Sequence, residues 1–316
     1  MKRKNKQKNK LRTQLAKKLI IKIALLSVFA LVGVLVYVRS YAATPDTSAR
    51  CVTSQQAADG SKQSVGNRPV CLPIGSTGGV VYWPDNSIPG KRIHVTRIDL
   101  NNRRLAVRAS SFSERGKTPT QFAKHSASIV AVNGDFFYKD NNFITNGLAV
   151  GGAEQWPFTR DRWHTTFIAC TMDRDCFIDE INRETQVNPI RHVSVVSGSE
   201  TLLAPNYEWT LRPGQQGCGT TCSSPHPRTG VALSGNRKVM WFVMVEGGHS
   251  NIAGLSLYDF TQVFKRLGAR WAINLDGGGS SGMAINGRLI NQRPSNEPQE
   301  RRVGNALGIV ELPASK

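Results

Sequence analysis

Between residues 92 and 100, apolar Ile93 and Val95 alternate with polar His94 and Thr96. This is the period-two pattern of a half-buried strand. Residues 105–109 read as a second strand, and Asn101-Asn102 between the two predicts a hairpin. Residues 128–132, 191–196 and 270–275 are further strand-like runs. Residues 238–245 are almost continuously apolar, as a strand buried on both faces requires. Two helices are predicted among them. Thr118 can cap the first, with Pro119 at its first position. Ser256 can cap the second, whose Leu257, Phe260, Phe264 and Leu267 share one face, and Gly268 ends it. Each helix leads into a strand that ends in Asn-x-Asp, first at Asn133-Gly134-Asp135 and then at Asn274-Leu275-Asp276. The pattern predicts an α+β fold, a mixed β-sheet with packed helices, with room for an internal pseudo-repeat.

The chain before residue 80 has another character. Residues 1–22 hold ten Lys or Arg and no acid, and residues 23–38 carry no charge at all. Lys22 can snorkel and lengthen the apolar run back to Leu19. Residues 1–18 therefore read as a basic cytoplasmic tail and 19–39 as a membrane anchor, oriented by the positive charge before it. The competing reading is a signal peptide cleaved near Ser40-Tyr41-Ala42, where small residues flank the Tyr. Both readings export the C-terminal part of the chain to the periplasm or the cell exterior. Residues 40–79, rich in Ser, Gln, Gly and Thr, read as a linker, and 80–316 as the globular domain.

Charge and cysteines sharpen this picture. The net charge is +19, so removing the ten cationic residues of the tail leaves +9 for the remainder. Such a surface favours anionic partners. No basic stripe with interleaved aromatics lies outside the tail, which argues against nucleic acid. The six cysteines fall into local pairs, Cys51 with Cys71, Cys170 with Cys176, and Cys218 with Cys222. In an exported domain these read as three disulfides, and the spacing does not suit zinc.

Four segments carry candidate chemistry. In Asp276-Gly277-Gly278-Gly279-Ser280-Ser281, three glycines after a buried strand let backbone amides converge on an anion, bordered by a carboxylate and two hydroxyls. In the first Asn-x-Asp, Asn133 and Asp135 can bond sugar hydroxyls. Arg228 and Thr229 offer a guanidinium fork and a hydroxyl suited to phosphate oxygens. Glu246 and His249 put a carboxylate and an imidazole just past the buried 238–245 run.

Asn133-Gly-Asp-Phe-Phe137, His226-Pro-Arg-Thr229, Asn274-Leu-Asp-Gly-Gly-Gly-Ser-Ser281 and Arg302-Val-Gly-Asn-Ala-Leu-Gly308 occur in that order. With them the chain, over about residues 80–312, resembles the phosphodiester glycosidase family of the uncovering-enzyme type. That family removes N-acetylglucosamine from a phosphodiester to expose a mannose 6-phosphate. Its members commonly carry Ala where this chain has Gly230. The resemblance implies an exported hydrolase of a glycosyl 1-phosphodiester, with a sugar phosphate, glycan or glycolipid as substrate. Asp276, Glu246 and Arg228 are then the candidate catalytic groups. Asn133, Asp135, Thr229, His249, Asn274, Gly277, Gly278, Gly279, Ser280 and Ser281 are the candidate substrate contacts. The Asp and Asn oxygens leave room for a Ca²⁺. A membrane-tethered module that binds anionic glycans without turnover is the alternative.

Overall fold

A computed structural model of the chain describes residues 72–157, 163–181, 188–189 and 191–313. The basic tail, the 19–39 segment and the Cys51–Cys71 pair lie outside the described residues. Among the described residues no helix is long and apolar enough to cross a membrane.

Three antiparallel sheets make up most of the domain. In the largest, the central strands are Ile93–Asp99, Val239–Val245, Arg228–Leu233 and Trp271–Asn274, in that spatial order. The second sheet centres on Ser128–Asn133, flanked by Met283–Ile285 and Ala306–Glu311. The third centres on Ser194–Gly198 and Thr166–Cys170. Apolar side chains from all three meet in the main core, among them Phe242, Val231, Val130, Ile309, Ile168 and Val196.

The strand Val239–Val245 shows how one sequence run serves two layers. Phe242 and Met244 point into the main core, while Trp241 and Val243 point the other way, onto the helix Leu257–Leu267. That helix covers the outer face of the large sheet with Leu257, Phe260 and Phe264. The shorter helix Pro119–Ser126 covers the second sheet, setting Phe122 and Ala123 against Ala131, Ala284 and Ala306. Both helices are capped as the sequence predicts. Thr118 accepts from the Gln121 amide at 3.1 Å, and Ser256 from the Asp259 amide at 3.1 Å. Gly268 closes the second in the left-handed region. The two units of helix, strand and Asn-x-Asp are thus both present, one on each sheet.

Two expectations need correction. Helices do pack on sheets, but strands dominate, and every strand pairing among the described residues is antiparallel rather than mixed. The Asn101-Asn102 turn is also not a hairpin. Ile93–Asp99 pairs with Val80–Asp85 and Val239–Val245, whereas Leu105–Ala109 pairs with Ala306–Glu311. The turn is a corner between sheets. Asp99 fixes it by accepting from the Asn101 amide at 3.0 Å and the Asn102 amide at 3.2 Å. Ile98, Leu105 and Val107 are then buried in one hydrophobic cluster, the main core.

Two of the predicted disulfides, Cys170–Cys176 and Cys218–Cys222, are formed. They are what an oxidising, extracytoplasmic compartment allows.

Gly230 has a packing reason. A Cβ there would lie 2.7 Å from the Ile273 carbonyl oxygen and 3.0 Å from the Phe260 ring. Gly230→Ala is therefore expected to destabilise the domain by about 1–3 kcal/mol, the usual range for overpacking. Denaturant unfolding checks this, and an unchanged midpoint would show that the helix can slide outward at no cost.

Candidate active site

The two Asn-x-Asp segments come from different sheets and meet. Strand Ser128–Asn133 and strand Trp271–Asn274 both end at one place, and the Asp276 amide donates to the Gly134 carbonyl at 3.0 Å. The fully buried Asn133 amide joins them further. Its Nδ2 donates to the Asp276 carbonyl at 2.7 Å. Its Oδ1 accepts from the Thr229 hydroxyl at 2.7 Å and the Gly282 amide at 3.1 Å. Four stretches of chain are thereby fixed around one side chain.

Two carboxyl groups sit on this frame. Asp135 is 1% exposed. Its Oδ1 accepts from the Ser197 amide at 2.7 Å and from Asn305 Nδ2 at 3.1 Å, while its Oδ2 is buried with no partner. Burial pushes the Asp135 carboxyl well above the usual range, and the nearby negative charge of Asp276 adds to the rise. Its hydrogen bonds offset part of it. Asp276 is pushed up to about 6, also by burial. Bonds from Ser280 and the Gly277 amide pull it back, as do the positive charges of Arg301 and Lys139. Two acids with raised pKa values whose charges oppose one another share one negative charge most easily.

The glycine loop holds Asp276 from below. Its amides are more committed than a phosphate cradle would be. The Gly277 amide donates to Asp276 Oδ1 at 2.8 Å, and the Gly278 amide to the Pro227 carbonyl at 3.0 Å. Gly279 makes room for the Arg301–Glu297 ion pair, which a Cβ would strike. Arg301 also reaches Ser280 Oγ at 3.4 Å. Glu297 in turn lines an open pocket of about 540 Å³ with His249, Arg293 and Ser295. A polar chain thus runs from Asp276 through Ser280, Arg301 and Glu297 to that pocket. Ser281 is buried beside it, its hydroxyl unpartnered.

Several predicted residues stand apart from this pair. Glu246 is held by three donors, His94 Nε2 at 2.9 Å, the Gln292 amide at 2.8 Å and Arg92 Nη1 at 3.4 Å. These bonds hold its carboxyl below the usual range despite its burial. Through Gln292 it fastens the pocket wall. His249 lies in that wall, its Nδ1 3.0 Å from Ser295 Oγ. Arg228 points away from Thr229, since successive residues of a strand face opposite sides. Its Nε donates to the Leu255 carbonyl at 3.1 Å, and its Nη2 to the Thr221 and Ser224 carbonyls at 2.6 and 3.3 Å. A free fork is therefore not what Arg228 presents. Asn274 shares that side, donating to Glu200 Oε2 at 2.8 Å, with its own Oδ1 buried and unpartnered.

Several of the oxygens expected to gather around Ca²⁺ are taken by protein donors. Asn133 Oδ1 is doubly occupied, and Asn305 Oδ1 accepts from the Asp135 amide at 2.8 Å. Among the described residues no group of three or more His, Cys, Asp or Glu is placed to hold a metal. Sequence reasoning missed Asn305, Arg301, Glu297 and Glu200. Asn305 lies inside the Arg302–Gly308 stretch that already bore the resemblance. The others carried no local signal.

A family described as phosphodiester glycosidase matches residues 126–310. No curated protein matches the chain. Among solved structures, one similar fold is the catalytic domain of zebrafish N-acetylglucosamine-1-phosphodiester alpha-N-acetylglucosaminidase, auto-inhibited by its pro-peptide. It is 20% identical at a TM-score of 0.57, with 78% of this chain and 85% of that chain covered. Another is a hypothetical protein from Synechocystis, 16% identical at a TM-score of 0.53. That match covers 77% of this chain and 63% of the other. Both likenesses are of fold.

The raised pKa of Asp276 has a consequence for stability. An acid that binds its proton more tightly when folded favours the folded state below its unfolded pKa, near 4. That contribution is lost as pH rises to about 6. Asp276→Asn removes the penalty of the buried charge, so it should melt no lower than the parent at pH 7.5 and show less loss of stability between pH 4 and pH 7. A melting temperature well below the parent's would show that Asp276 is needed to hold the glycine loop.

Proposed function

The chain belongs to the phosphodiester glycosidase family, and we propose that its exported domain hydrolyses a glycosyl 1-phosphodiester on a glycan or glycolipid. The observation that carries this reading is the pair of carboxyls, Asp135 and Asp276, which two sheets bring near enough for the charge of Asp276 to act on Asp135, both with raised pKa values. Paired carboxyls are the usual equipment for cleaving a glycosidic bond through an oxocarbenium-like state.

In this reading the bond between the anomeric carbon and the phosphate oxygen breaks. The phosphate monoester leaves with the bonding electrons, and water supplies the new hydroxyl. Such a leaving group is already a stable anion, so full protonation by an acid is not needed. Ionised Asp276 faces the developing positive charge, while burial and the Asp276 charge favour the protonated form of Asp135 beside it. Lys139 and Arg301, whose charges act on Asp276, hold that charge available near neutral pH. The pocket bordered by His249, Arg293 and Ser295 receives the phosphate and the group beyond it. Arg228 adds positive charge from the other side of its strand. Its guanidinium is lowered to about 10 by burial and remains charged at neutral pH. The basic tail and the 19–39 segment support tethering at the outer face of a membrane.

The test is a synthetic sugar 1-phosphodiester, with release of free sugar and phosphate monoester followed together. Asp276→Asn should lower kcat by about 10² or more with KM little changed, since positioned carboxyls contribute about 10²–10⁴. The parent's kcat should rise with pH through about 6, as Asp276 ionises. Glu246→Gln should lose stability, because it breaks three bonds at the pocket wall, and lose less kcat than Asp276→Asn. Binding without any product would transfer the chain to the anionic-glycan module. Full activity in folded Asp276→Asn would remove this residue from the chemistry.

A further inference from the structure

The open pocket of about 540 Å³ has three ionisable side chains in its wall, His249, Arg293 and Glu297. Two of them are committed to the protein. The Glu297 carboxylate is paired with Arg301. His249 has Nδ1 3.0 Å from Ser295 Oγ, and its Nε2 is sealed from solvent. Arg293 is different. It is half-buried, and its Nη1 donates to the Glu297 carbonyl at 3.1 Å. Its Nε and Nη2 make no hydrogen bond to a described residue, and neither is among the buried polar atoms sealed from solvent. Among the described residues no carboxylate pairs with it, whereas the cations nearest to it in the wall are neutralised, Arg301 by Glu297 and Arg92 by Glu246. The uncompensated positive charge of the pocket is therefore that of Arg293.

The backbone that carries Arg293 is held on both sides. The Gln292 amide donates to the buried Glu246 at 2.8 Å, and the Gln292 side-chain oxygen accepts from Arg92 at 2.9 Å. Pro294 packs on Gly248, where a Cβ would lie 2.8 Å from the proline ring. The Ser295 amide donates to the Gly248 carbonyl at 3.1 Å. Nη1 is tied to the Glu297 carbonyl, which restrains the plane of the guanidinium. The N–H of Nε and one N–H of Nη2 lie parallel on one edge of that plane. This is an edge that matches two oxygens of one phosphate.

We propose that Arg293 is the anion ligand of the pocket, gripping two oxygens of the phosphate with Nε and Nη2. This inference rests on the reading above, in which the pocket receives the phosphate of a glycosyl 1-phosphodiester, and it names the residue that binds it. A phosphodiester carries one negative charge, which the one free guanidinium matches. The monoester that leaves carries between one and two at neutral pH. Arg293 therefore holds the product at least as well as the substrate, so phosphate monoester and inorganic phosphate should compete with the diester for the pocket.

The experiment measures binding of inorganic phosphate to the full chain by calorimetry. KM and kcat for the sugar 1-phosphodiester are measured with and without added phosphate, at equal ionic strength. The parent is compared with Arg293→Ala, Arg293→Gln and Arg293→Lys. Phosphate should inhibit the parent competitively. Arg293→Ala and Arg293→Gln should each weaken phosphate binding and raise KM by about tenfold or more, with kcat changing less. Arg293→Lys keeps the charge and loses the fork, so it should fall between the two. Arg293→Gln keeps the test valid if Arg293→Ala does not fold. Unchanged phosphate binding in the folded variants would overturn the inference, and turnover by the parent would still leave the proposed reaction standing. Phosphate binding that is lost with Arg293, in a parent that releases no sugar, would uphold the ligand and remove the reaction. Inhibition that is not competitive would place the anion outside the pocket and overturn the inference. An Arg293→Lys variant equal to the parent would overturn the two-oxygen grip.

Discussion

The side chain of Asn133 is the constraint on which the site depends. It is buried to 0% exposure, and an amide in that position must satisfy its donors and acceptors inside the protein or lose the hydration that it left behind. It does so by binding three separate stretches of chain, at Asp276, Thr229 and Gly282. Those stretches belong to different layers. The large sheet brings Thr229 and Asp276, and the second sheet brings Asn133 itself and leads out through Gly282 to Met283. One satisfied amide therefore sets the distance between two sheet edges. Whatever the two carboxyls do together, they do it because this amide holds their strands in register.

The cost of the arrangement is electrostatic. Asp135 and Asp276 are placed where burial disfavours charge, and the charge of Asp276 makes Asp135 harder still to ionise. A protein optimised only for stability would fill such a place with apolar side chains. The Asp135 Oδ2, buried and unpartnered, is the clearest sign that stability is not what this place serves. Beside it, Ser197 and Asn305 bond the other oxygen of Asp135, and the glycine loop bonds one oxygen of Asp276. Strain of this kind, concentrated at one point and supported on all sides, is how folded proteins keep reactive groups.

How much of this was legible in the sequence differs from residue to residue. The helices could be placed because Thr118, Pro119, Ser256 and Gly268 are local signals whose effect is complete within one turn. The buried strand 239–245 could be placed because seven residues of unbroken apolar character fit no surface element. The Asn-x-Asp pair was visible as two copies of one pattern, and both copies reach the site. The corner at Asn101-Asn102 was not legible, because a short turn between two strands reads the same whether the strands pair or part. The partner of Glu246 was not legible either. His94 lies 152 positions away, and only the pairing of Ile93–Asp99 with Val239–Val245 brings the two together.

Arg228 and Thr229 illustrate the same limit most directly. Read in sequence, adjacent cationic and hydroxyl residues suggest one binding surface. On a strand they cannot share a face, since neighbouring side chains point to opposite sides of the sheet. Thr229 turns inward to Asn133, whereas Arg228 turns toward the carbonyls of Thr221, Ser224 and Leu255. Gly230, next in the strand, returns to the side of Arg228 and carries no side chain, because the ring of Phe260 and the Ile273 carbonyl occupy the space. Three consecutive residues thus answer to the second sheet, the disulfide-closed turn and the covering helix. Adjacent positions of one strand thus join the two sides of the large sheet, Thr229 bonding Asn133 on the inner side and Arg228 the carbonyls of Thr221, Ser224 and Leu255 on the outer.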